Sequence, residues 1–165
     1  MAADPPKTQS LPIGLGVKGL VGVLALAAPL VMYFEGKRNE AYYDNLPSVA
    51  LITACYGHTD PSLKITDKFT DEQCKAFLYE DLAEANDGVD ACINAPISVH
   101  ERAALISFTY NVGRGKLCGS TLAKKANAGQ PFCAELYKWV YAGGKVRNGL
   151  VKRRQAEYAV CVKAD

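Results

Sequence analysis

The chain begins with a polar stretch that is followed by a long apolar run. Residues 1–10 are polar and contain two prolines, and we assign them no secondary structure. In residues 11–34 the only charged side chain is that of Lys18. A helix of this length would measure about 36 Å, enough to cross the apolar core of a bilayer. However, the uncharged part, residues 19–34, has only 16 residues, fewer than the usual membrane span of about 20.

After this run the pattern changes to that of β-strands. Residues 49–56, VALITACY, are apolar and rich in β-branched side chains. Turn-forming sequences flank them, Asn-Leu-Pro-Ser before and Gly-His-Thr-Asp-Pro after. Strands favour such residues and end at such turns. We therefore predict a hairpin or a small three-stranded sheet over residues 41–68.

The rest of the chain has the pattern of α-helices. Two capping-box patterns precede apolar residues at helical spacing: Thr70 with Gln73, and Ser98 with Glu101. Glycines at positions 113 and 115 indicate the end of the second helix. Shorter helices are expected over residues 119–128, 131–141 and 148–162. The whole pattern is that of a mainly helical protein with one small sheet.

Two groups of side chains in the helical part could serve in ligand binding, but the pattern favours structural roles for both. Aromatic residues at helical spacing are more often core than stacking platforms for a ligand, and we assign to the core Phe108, Tyr110 and Trp139. We interpret a basic cluster as a solvated helix face, with a contact to membrane headgroups or anionic glycan as the alternative. Its members are Lys145, Arg147, Lys152, Arg153 and Arg154.

Composition adds limits on size, partners and redox compartment. A chain of 165 residues fits one domain with a real core. Its net charge of +2, from 19 basic and 17 acidic residues, does not point to nucleic acid. The six cysteines lack the spacing of a zinc site. Their even number, beside an export-like N-terminus, favours disulfides over the buried thiols of a cytosolic protein.

Six cysteines allow fifteen pairings. We expect the sequential one, in which neighbours along the chain are bonded: Cys55 with Cys74, Cys92 with Cys118, and Cys133 with Cys161.

Two acidic residues stand in settings that suit glycoside hydrolysis. This reaction needs one carboxyl group that gives a proton and a second group on the other face of the sugar. Glu35 follows four apolar residues, and an apolar setting favours the protonated form of a carboxyl group. Asp44, nine positions later, lies in the polar turn sequence Tyr-Asp-Asn-Leu-Pro-Ser, where a carboxylate stays hydrated. Since two acids at an arbitrary spacing are more often solvated surface residues, the spacing alone indicates only a possible two-carboxylate glycosidase.

The spacing Glu-x8-Asp, followed by a threonine and by Gly-His-Thr, resembles that of the phage lysozymes of glycoside hydrolase family 24, the muramidase endolysins. The resemblance covers residues 33–161 in order, through the segments 107–113, 120–129, 139–145 and 149–157. It implies an α+β, mainly helical, two-lobed lysozyme fold with a small β-hairpin or sheet lobe and an N-terminal apolar helix.

The resemblance also implies roles for three residues. Glu35 would be the general acid, Asp44 its partner, and Thr53 the residue that helps to place the attacking water. The family usually has this threonine six residues after the aspartate, whereas Thr53 follows Asp44 by nine. We expect the added residues to lengthen the hairpin tip around residues 45–48 and to keep Thr53 in phase with His58. We take the role of His58 as structural.

The implied activity is hydrolysis of the β-1,4 bond between N-acetylmuramic acid and N-acetylglucosamine in peptidoglycan, which would lyse the host at phage release. The expected partner is the peptidoglycan glycan strand, and neither a cofactor nor a nucleic acid is expected. A lytic transglycosylase, which uses a single acid and forms an anhydro product, is one alternative, and the presence of both Asp44 and Thr53 argues against it. A membrane-anchored wall-binding module without activity is the other.

Three interpretations of the apolar run remain. It could be a cleavable signal peptide, since Ala25-Leu-Ala27 matches the A-x-A pattern, or a buried core helix. We favour the third, an uncleaved segment that resembles the signal-arrest-release segment of secreted phage endolysins. Residues 1–34 would then be a polar start plus membrane segment, and residues 35–165 a catalytic domain. The protein would be exported to the host periplasm, tethered to the inner membrane through residues 11–34, and later released.

Overall fold

The computed structural model describes residues 17–46 and 49–165. In these residues the order of elements is α1 (Val17–Glu35), β1 (Arg38–Leu46), β2 (Val49–Cys55), β3 (His58–Thr59), α2 (Asp71–Cys92), α3 (Val99–Val112), α4 (Arg114–Cys118), α5 (Thr121–Asn127), a 3-10 helix (Cys133–Lys138), β4 (Tyr141–Ala142), β5 (Lys145–Val146) and α6 (Asn148–Cys161). The α+β, mainly helical architecture expected from the resemblance is confirmed.

Helix α1 forms part of the core through one of its faces. Val23, Ala27 and Val31 recur every four residues and are fully buried, because α1 packs against α2, α3 and α6. On the opposite face, Val21 and Tyr33 are 58% and 78% exposed. No helix in the described ranges is both long enough and apolar enough to cross a membrane. The part of the apolar run before Val17 lies outside the described residues.

A three-stranded antiparallel sheet of β1, β2 and β3 follows α1. Tyr42 pairs with Thr53 and Asp44 pairs with Leu51, with an irregularity in β1 between Arg38 and Tyr42. The sheet predicted over residues 41–68 is thus present, and its first strand begins at Arg38. The ladder continues beyond Asp44 to the pair of Leu46 with Val49. On the other side of β2, Thr53 pairs with Thr59 and Ala54 with His58. The expectation that Thr53 is in phase with His58 is therefore wrong, because these two residues lie on opposite faces of the sheet. Residues 47 and 48, at the tip of the hairpin of β1 and β2, lie outside the description.

Both predicted capping boxes are present. The Thr70 hydroxyl accepts from the backbone of Gln73, and the Gln73 side chain accepts from the backbone of Thr70. Ser98 and Glu101 make the same reciprocal pair at the start of α3. Each cap satisfies two backbone N–H groups that have no partner within the helix. The two helices pack closely together, and at Gly88 a Cβ would lie only 3.1 Å from the Thr109 Cγ2 atom.

The C-terminal third differs from the prediction at two places. The short helix α4 was not predicted, since it follows Gly113 directly and has only one buried residue, Leu117. The helix expected over residues 131–141 is a 3-10 helix that ends at Lys138, and a β-hairpin follows it. Gly143 and Gly144 both have positive φ angles, 60° and 73°. Gly143 and Gly144 thus form the two-residue turn that joins β4 to β5.

The sequential disulfide pairing is confirmed. Cys55 at the end of β2 is bonded to Cys74 in the first turn of α2. The other two bonds lie in the helical part and join α2 to α4, and the 3-10 helix to α6: Cys92 with Cys118, and Cys133 with Cys161. One bond therefore joins the sheet to the helices, and two hold helices together.

Candidate active site

Glu35 is the last residue of α1, and its position is set by the end of that helix. Gly36 follows with φ of 68°, and its N–H donates to the Met32 carbonyl at 3.2 Å. A glycine in the left-handed conformation is a common way to end a helix. Because the other face of α1 is packed into the core, the Glu35 carboxylate is held at the surface of the helical part, facing the sheet.

The Glu35 carboxylate is paired with Arg153 of α6. One guanidinium nitrogen of Arg153 donates to Glu35 Oε1 at 2.5 Å, and the Glu35 side chain is 25% exposed whereas that of Arg153 is 4% exposed. Arg153 also donates to Glu157 Oε1 at 3.1 Å and to the Ser107 carbonyl at 3.0 Å. The setting of Glu35 is therefore charged, rather than the apolar one expected from its neighbours in sequence.

A second buried arginine, Arg154, donates to the same glutamate as Arg153. Arg154 is fully buried, donates to Glu157 and to the Asn111 side chain, and reaches the Trp139 carbonyl at 3.0 Å. Burial raises the pKa of Glu157, and the two guanidinium groups and the Ser107 hydroxyl, which donates at 2.8 Å, oppose this rise. The network fills the space between α3 and α6 and fixes the guanidinium that holds Glu35.

This network corrects the interpretation of the basic cluster. Arg153 and Arg154 are 3% and 0% exposed and are internal, whereas the exposed-face interpretation holds for Lys145, Arg147 and Lys152. The sequence contained a signal that distinguishes them. Glu157 follows Arg153 by four residues and Arg154 by three, the spacings that bring helical side chains together.

Thr53 lies on β2, and its hydroxyl has an unusual environment. The residue is 3% exposed, and no described protein group forms a hydrogen bond with its buried Oγ1 atom. Buried hydroxyls almost always have a partner, so the absence of a described protein partner makes this hydroxyl exceptional. The geometry gives Thr53 a polar atom in the site that the protein itself leaves unsatisfied.

Asp44 shares one face of the sheet with Thr53. Residues directly opposite in an antiparallel ladder lie on the same face, as do residues two apart on one strand. Tyr42, the partner of Thr53, is two residues before Asp44, so Tyr42, Thr53 and Asp44 lie on one face. Burial raises the pKa of Tyr42, and the nearby carboxylates of Asp44 and Glu35 raise it further. Tyr42 thus lies close to both acids. Asp44, two residues nearer the hairpin tip, is exposed.

The backbone at Gly57 approaches Glu35 from the sheet side. With φ of 81°, a Cβ added at Gly57 would lie 3.4 Å from Glu35 Oε2. The preceding carbonyl, of Tyr56, accepts a 2.6 Å hydrogen bond from the Tyr110 hydroxyl. Glu35 Oε1 therefore faces Arg153, while Oε2 faces the turn between β2 and β3.

A cavity of about 320 Å³ extends from Gly57 between the sheet and helices α2 and α3. Its lining includes Asp81, Thr109, Tyr110 and Arg114. Burial raises the pKa of the Tyr110 hydroxyl, which keeps it protonated as a donor. Of the three aromatic residues assigned to the core, Phe108 and Trp139 pack edge to face at 5.2 Å, whereas Tyr110 also lines this cavity.

His58 has the structural role that was expected. Its Nδ1 atom lies 2.9 Å from an Asp81 carboxylate oxygen, and its ring stacks on Phe77 with centroids 4.3 Å apart. These contacts join β3 to α2. In the ranges that the structure describes, no cluster of three or more His, Cys, Asp or Glu side chains could hold a metal ion.

Comparisons with known proteins identify relatives of this chain by sequence and by fold. Residues 32–157 match the model of the phage lysozyme family. A SAR-endolysin of bacteriophage PS119 is 38% identical over 149 residues, which are 86% of this chain and 87% of that protein. The endolysin of Escherichia coli O157:H7 phage FAHEc1 superposes with a TM-score of 0.69 at 30% identity, covering 91% of this chain and 94% of that structure. The muramidase domain of SpmX from Asticcacaulis excentricus has the same fold, with a TM-score of 0.74 at 24% identity over 92% of this chain and 99% of that one.

Proposed function

Because the chain belongs to the phage lysozyme family, we propose that it is an endolysin that hydrolyses the β-1,4 bond between N-acetylmuramic acid and N-acetylglucosamine in peptidoglycan. The observation that carries this proposal is the placement of Glu35 opposite the sheet. A buried arginine fixes one of its carboxylate oxygens, and the sheet presents Thr53 and Asp44 on a single face. A glycosidase needs a proton donor on one side of the scissile bond and a water or carboxylate on the other.

In the proposed mechanism each of the three residues acts at a stated atom. The hydrogen bond from Arg153 to Oε1 leaves Glu35 Oε2, on the Gly57 side, to carry the proton that goes to the glycosidic oxygen. The Thr53 hydroxyl, on β2, helps to place the attacking water. The exposed Asp44 carboxylate stabilises the positive charge that develops on the sugar ring, or accepts a proton from that water. Arg153 acts as a positioning residue, because it touches Glu35 and not the sugar.

The test is the release of soluble fragments from purified peptidoglycan by wild type and by single variants. Glu35→Gln keeps the shape and removes the transferable proton, so we expect a loss of about 10²- to 10⁴-fold. Asp44→Asn should lose less, and Thr53→Val less again. Glu40→Gln, at an exposed carboxylate paired with Lys68, is the matched control and should keep full activity. Retention of more than a few per cent of activity by Glu35→Gln would refute its role as the acid.

Product analysis separates this proposal from its two alternatives. Mass spectrometry of the fragments should find reducing muramic acid ends that carry the mass of one added water. Anhydro ends would identify a lytic transglycosylase. A module that only binds the wall would sediment with peptidoglycan and release nothing.

We further propose that residues 11–34 tether the protein to the inner membrane after export and that release from the membrane activates it. Two observations support this. The matching relative from phage PS119 is named a SAR-endolysin. In addition, α1 uses Val23, Ala27 and Val31 to pack into the core and places Glu35 beside Arg153 at its end. A segment that lies in the bilayer cannot make these contacts, so the tethered protein would lack an assembled site.

The tether is tested at two positions that the released fold leaves exposed. Gly22 and Ala25 face solvent on α1, and a Cβ at Gly22 would contact nothing within 4 Å. The double variant Gly22→Leu with Ala25→Leu should still fold, but should add roughly 1 kcal/mol or less to membrane retention and delay lysis. Gly22→Ser with Ala25→Ser is the control and should not delay it. Fractionation and N-terminal sequencing of the soluble form are the measurements, and a soluble product that begins at Ala28 would identify an ordinary signal peptide.

A further inference from the structure

Cys55 has a backbone conformation that its residue type disfavours. Its φ angle is 58°, and it is the only residue other than glycine with a positive φ among those that the structure describes. In the left-handed region the Cβ atom of an L-residue approaches the following carbonyl oxygen, so glycine, and to a lesser degree asparagine, are the residues that normally occupy it. A cysteine side chain offers no local hydrogen bond that would compensate. Something outside the turn must therefore hold this conformation.

The position of Cys55 connects it to the active site on both sides. It follows Thr53 by two residues and precedes Gly57 by two. The chain reverses at this point, between β2 and β3, and the reversal brings the Gly57 backbone towards Glu35 Oε2. If residue 55 relaxed to the extended conformation, the strand would continue straight, and both the Thr53 hydroxyl and the Gly57 backbone would move relative to Glu35.

The disulfide bond joins Cys55 to a rigid anchor. Cys74 is fully buried in the first turn of α2, which the reciprocal cap of Thr70 and Gln73 holds in place. The Cys74 N–H donates to the Thr70 carbonyl at 2.9 Å. Cys55 itself is 2% exposed. The bond therefore joins Cys55, whose backbone conformation is strained, to the capped N-terminal end of α2.

We propose that the Cys55–Cys74 disulfide is a positioning element of the active site. It holds residue 55 in the left-handed conformation, and this sets the places of Thr53 and Gly57 opposite Glu35. The other two disulfides join helices to helices and contribute to stability alone. This inference rests on the proposed function, since it concerns the rate of the same hydrolysis.

The experiment compares two double variants that lack the same bond. In Cys55→Ala with Cys74→Ala, alanine disfavours the left-handed conformation, so we expect kcat on soluble glycan fragments to fall about tenfold or more with little change in KM. In Cys55→Gly with Cys74→Ala, glycine adopts that conformation readily, and kcat should return to within about threefold of wild type. A disulfide that acts only through stability would give no such rescue once both proteins are folded.

Two further measurements keep the outcome clear. Each variant is assayed at least about 10 °C below its midpoint of unfolding, and circular dichroism gives its folded fraction. Cys92→Ala with Cys118→Ala is the control for the loss of a disulfide, and its kcat should equal that of wild type. If the alanine variant does not fold, Cys55→Ser with Cys74→Ala replaces it, and a kcat well below that of the glycine variant supports the proposal, because serine also carries a Cβ atom that disfavours the left-handed conformation.

Equal kcat values for the alanine and glycine variants would overturn the inference, as would an equal loss in the control without the bond between Cys92 and Cys118. Failure of the proposed function itself looks different. If the proposed function is wrong, wild type releases no reducing ends from peptidoglycan. If only the disulfide inference is wrong, wild type is active and the alanine and glycine variants have equal kcat values.

Discussion

Arg153 shows how one residue can join stability to function. Its guanidinium has three partners, the carboxylates of Glu35 and Glu157 and the Ser107 carbonyl. A planar fork with several donors is suited to such a position, whereas the ammonium group of lysine acts as a point charge. Replacement of Arg153 would therefore remove the orientation of Glu35 and would also leave a buried carboxylate without one of its two cations.

We expect Arg153→Met to lower the free energy of unfolding by about 3 to 5 kcal/mol, the usual cost of removing one partner of a buried ion pair. Arg153→Lys should lose less stability but still reduce kcat, because a lysine cannot keep all three contacts. Lys152→Met, at the exposed neighbour, is the control and should change stability by less than about 0.5 kcal/mol. Denaturant unfolding together with kcat measures both effects, and an Arg153→Met protein as stable as the control would contradict the network.

Asp71 gives a prediction on pH dependence. Lys37 and Asn39 donate to its Oδ1 atom at 2.6 and 2.8 Å, and these hydrogen bonds hold the pKa of Asp71 below its usual value of 3.8. A pKa lowered by folding gives stability that is present above the unfolded-state pKa and is lost as the pH falls through the folded-state pKa. The contribution is small, because the group is exposed to solvent.

The difference in Tm between wild type and Asp71→Asn should therefore be constant above about pH 5 and should decrease towards zero below about pH 3. Thermal unfolding from acidic to neutral pH provides the measurement. Asp87→Asn, at an exposed carboxylate further along α2, is the control. A Tm difference that grows as the solution becomes more acidic would have the wrong sign and would exclude this interpretation.

At the scale of elements, the fold depends on helix ends and on covalent bonds between elements. Capping boxes define where α2 and α3 begin, and Gly36 defines where α1 ends. The 3-10 helix and α6 are joined by the bond between Cys133 and Cys161. Because this 3-10 helix is short and precedes an exposed hairpin, it depends on its tertiary contacts more than α2 or α3 does.

Removal of that bond should lower stability without changing the active site. The two cysteines are 28 residues apart, and a closed loop of that size is expected to contribute about 3 to 4 kcal/mol. For a domain of this length, that loss corresponds to a decrease in Tm of roughly 10 °C. We expect Cys133→Ala with Cys161→Ala to show this decrease in calorimetry. Its kcat, measured about 20 °C below the new Tm, should stay at the wild-type value. A loss of kcat at that temperature would show that this bond also acts on the site.

At the scale of the whole molecule, α1 connects the site to the core. One face of this helix is buried by α2, α3 and α6, and its C-terminal end carries Glu35. The remaining face is exposed although several of its side chains are apolar, among them Val21, Leu26 and Met32. Packing of α1 and assembly of the site are therefore one event.

A pair of adjacent substitutions tests this coupling. Ala27 is fully buried and Leu26 is 38% exposed, so Ala27→Asp places an unpaired charge in the core and Leu26→Asp places one in water. Ala27→Asp should destabilise the domain by several kcal/mol and abolish activity in the released protein. Leu26→Asp should keep both the wild-type Tm, within about 2 °C, and full activity. Equal behaviour of the two purified variants in unfolding and activity assays would mean that α1 does not pack in this way.

The sequence by itself determined the features that depend on local interactions or on short patterns. The caps at Thr70 and Ser98 are formed by residues three positions apart, so their partners could be identified from the chain alone. The β-branched run at residues 49–56 favours a strand wherever it packs. The choice of Glu35, Asp44 and Thr53 as site residues followed from the resemblance to the phage lysozyme family, and their catalytic roles remain a proposal.

Only the tertiary structure decided which of several chemically similar residues are internal. Lys152 and Arg153 are neighbours in sequence, but the angle of α6 on α3 buries Arg153 against Glu35 and leaves Lys152 in water. Likewise, the helix predicted over residues 131–141 ends at Lys138, and a hairpin whose turn is formed by Gly143 and Gly144 follows it. The conformation of Cys55 could not be read from its residue type, which disfavours it. That conformation depends on a bond to a residue 19 positions away and on the folded surroundings that bring the two sulfur atoms together.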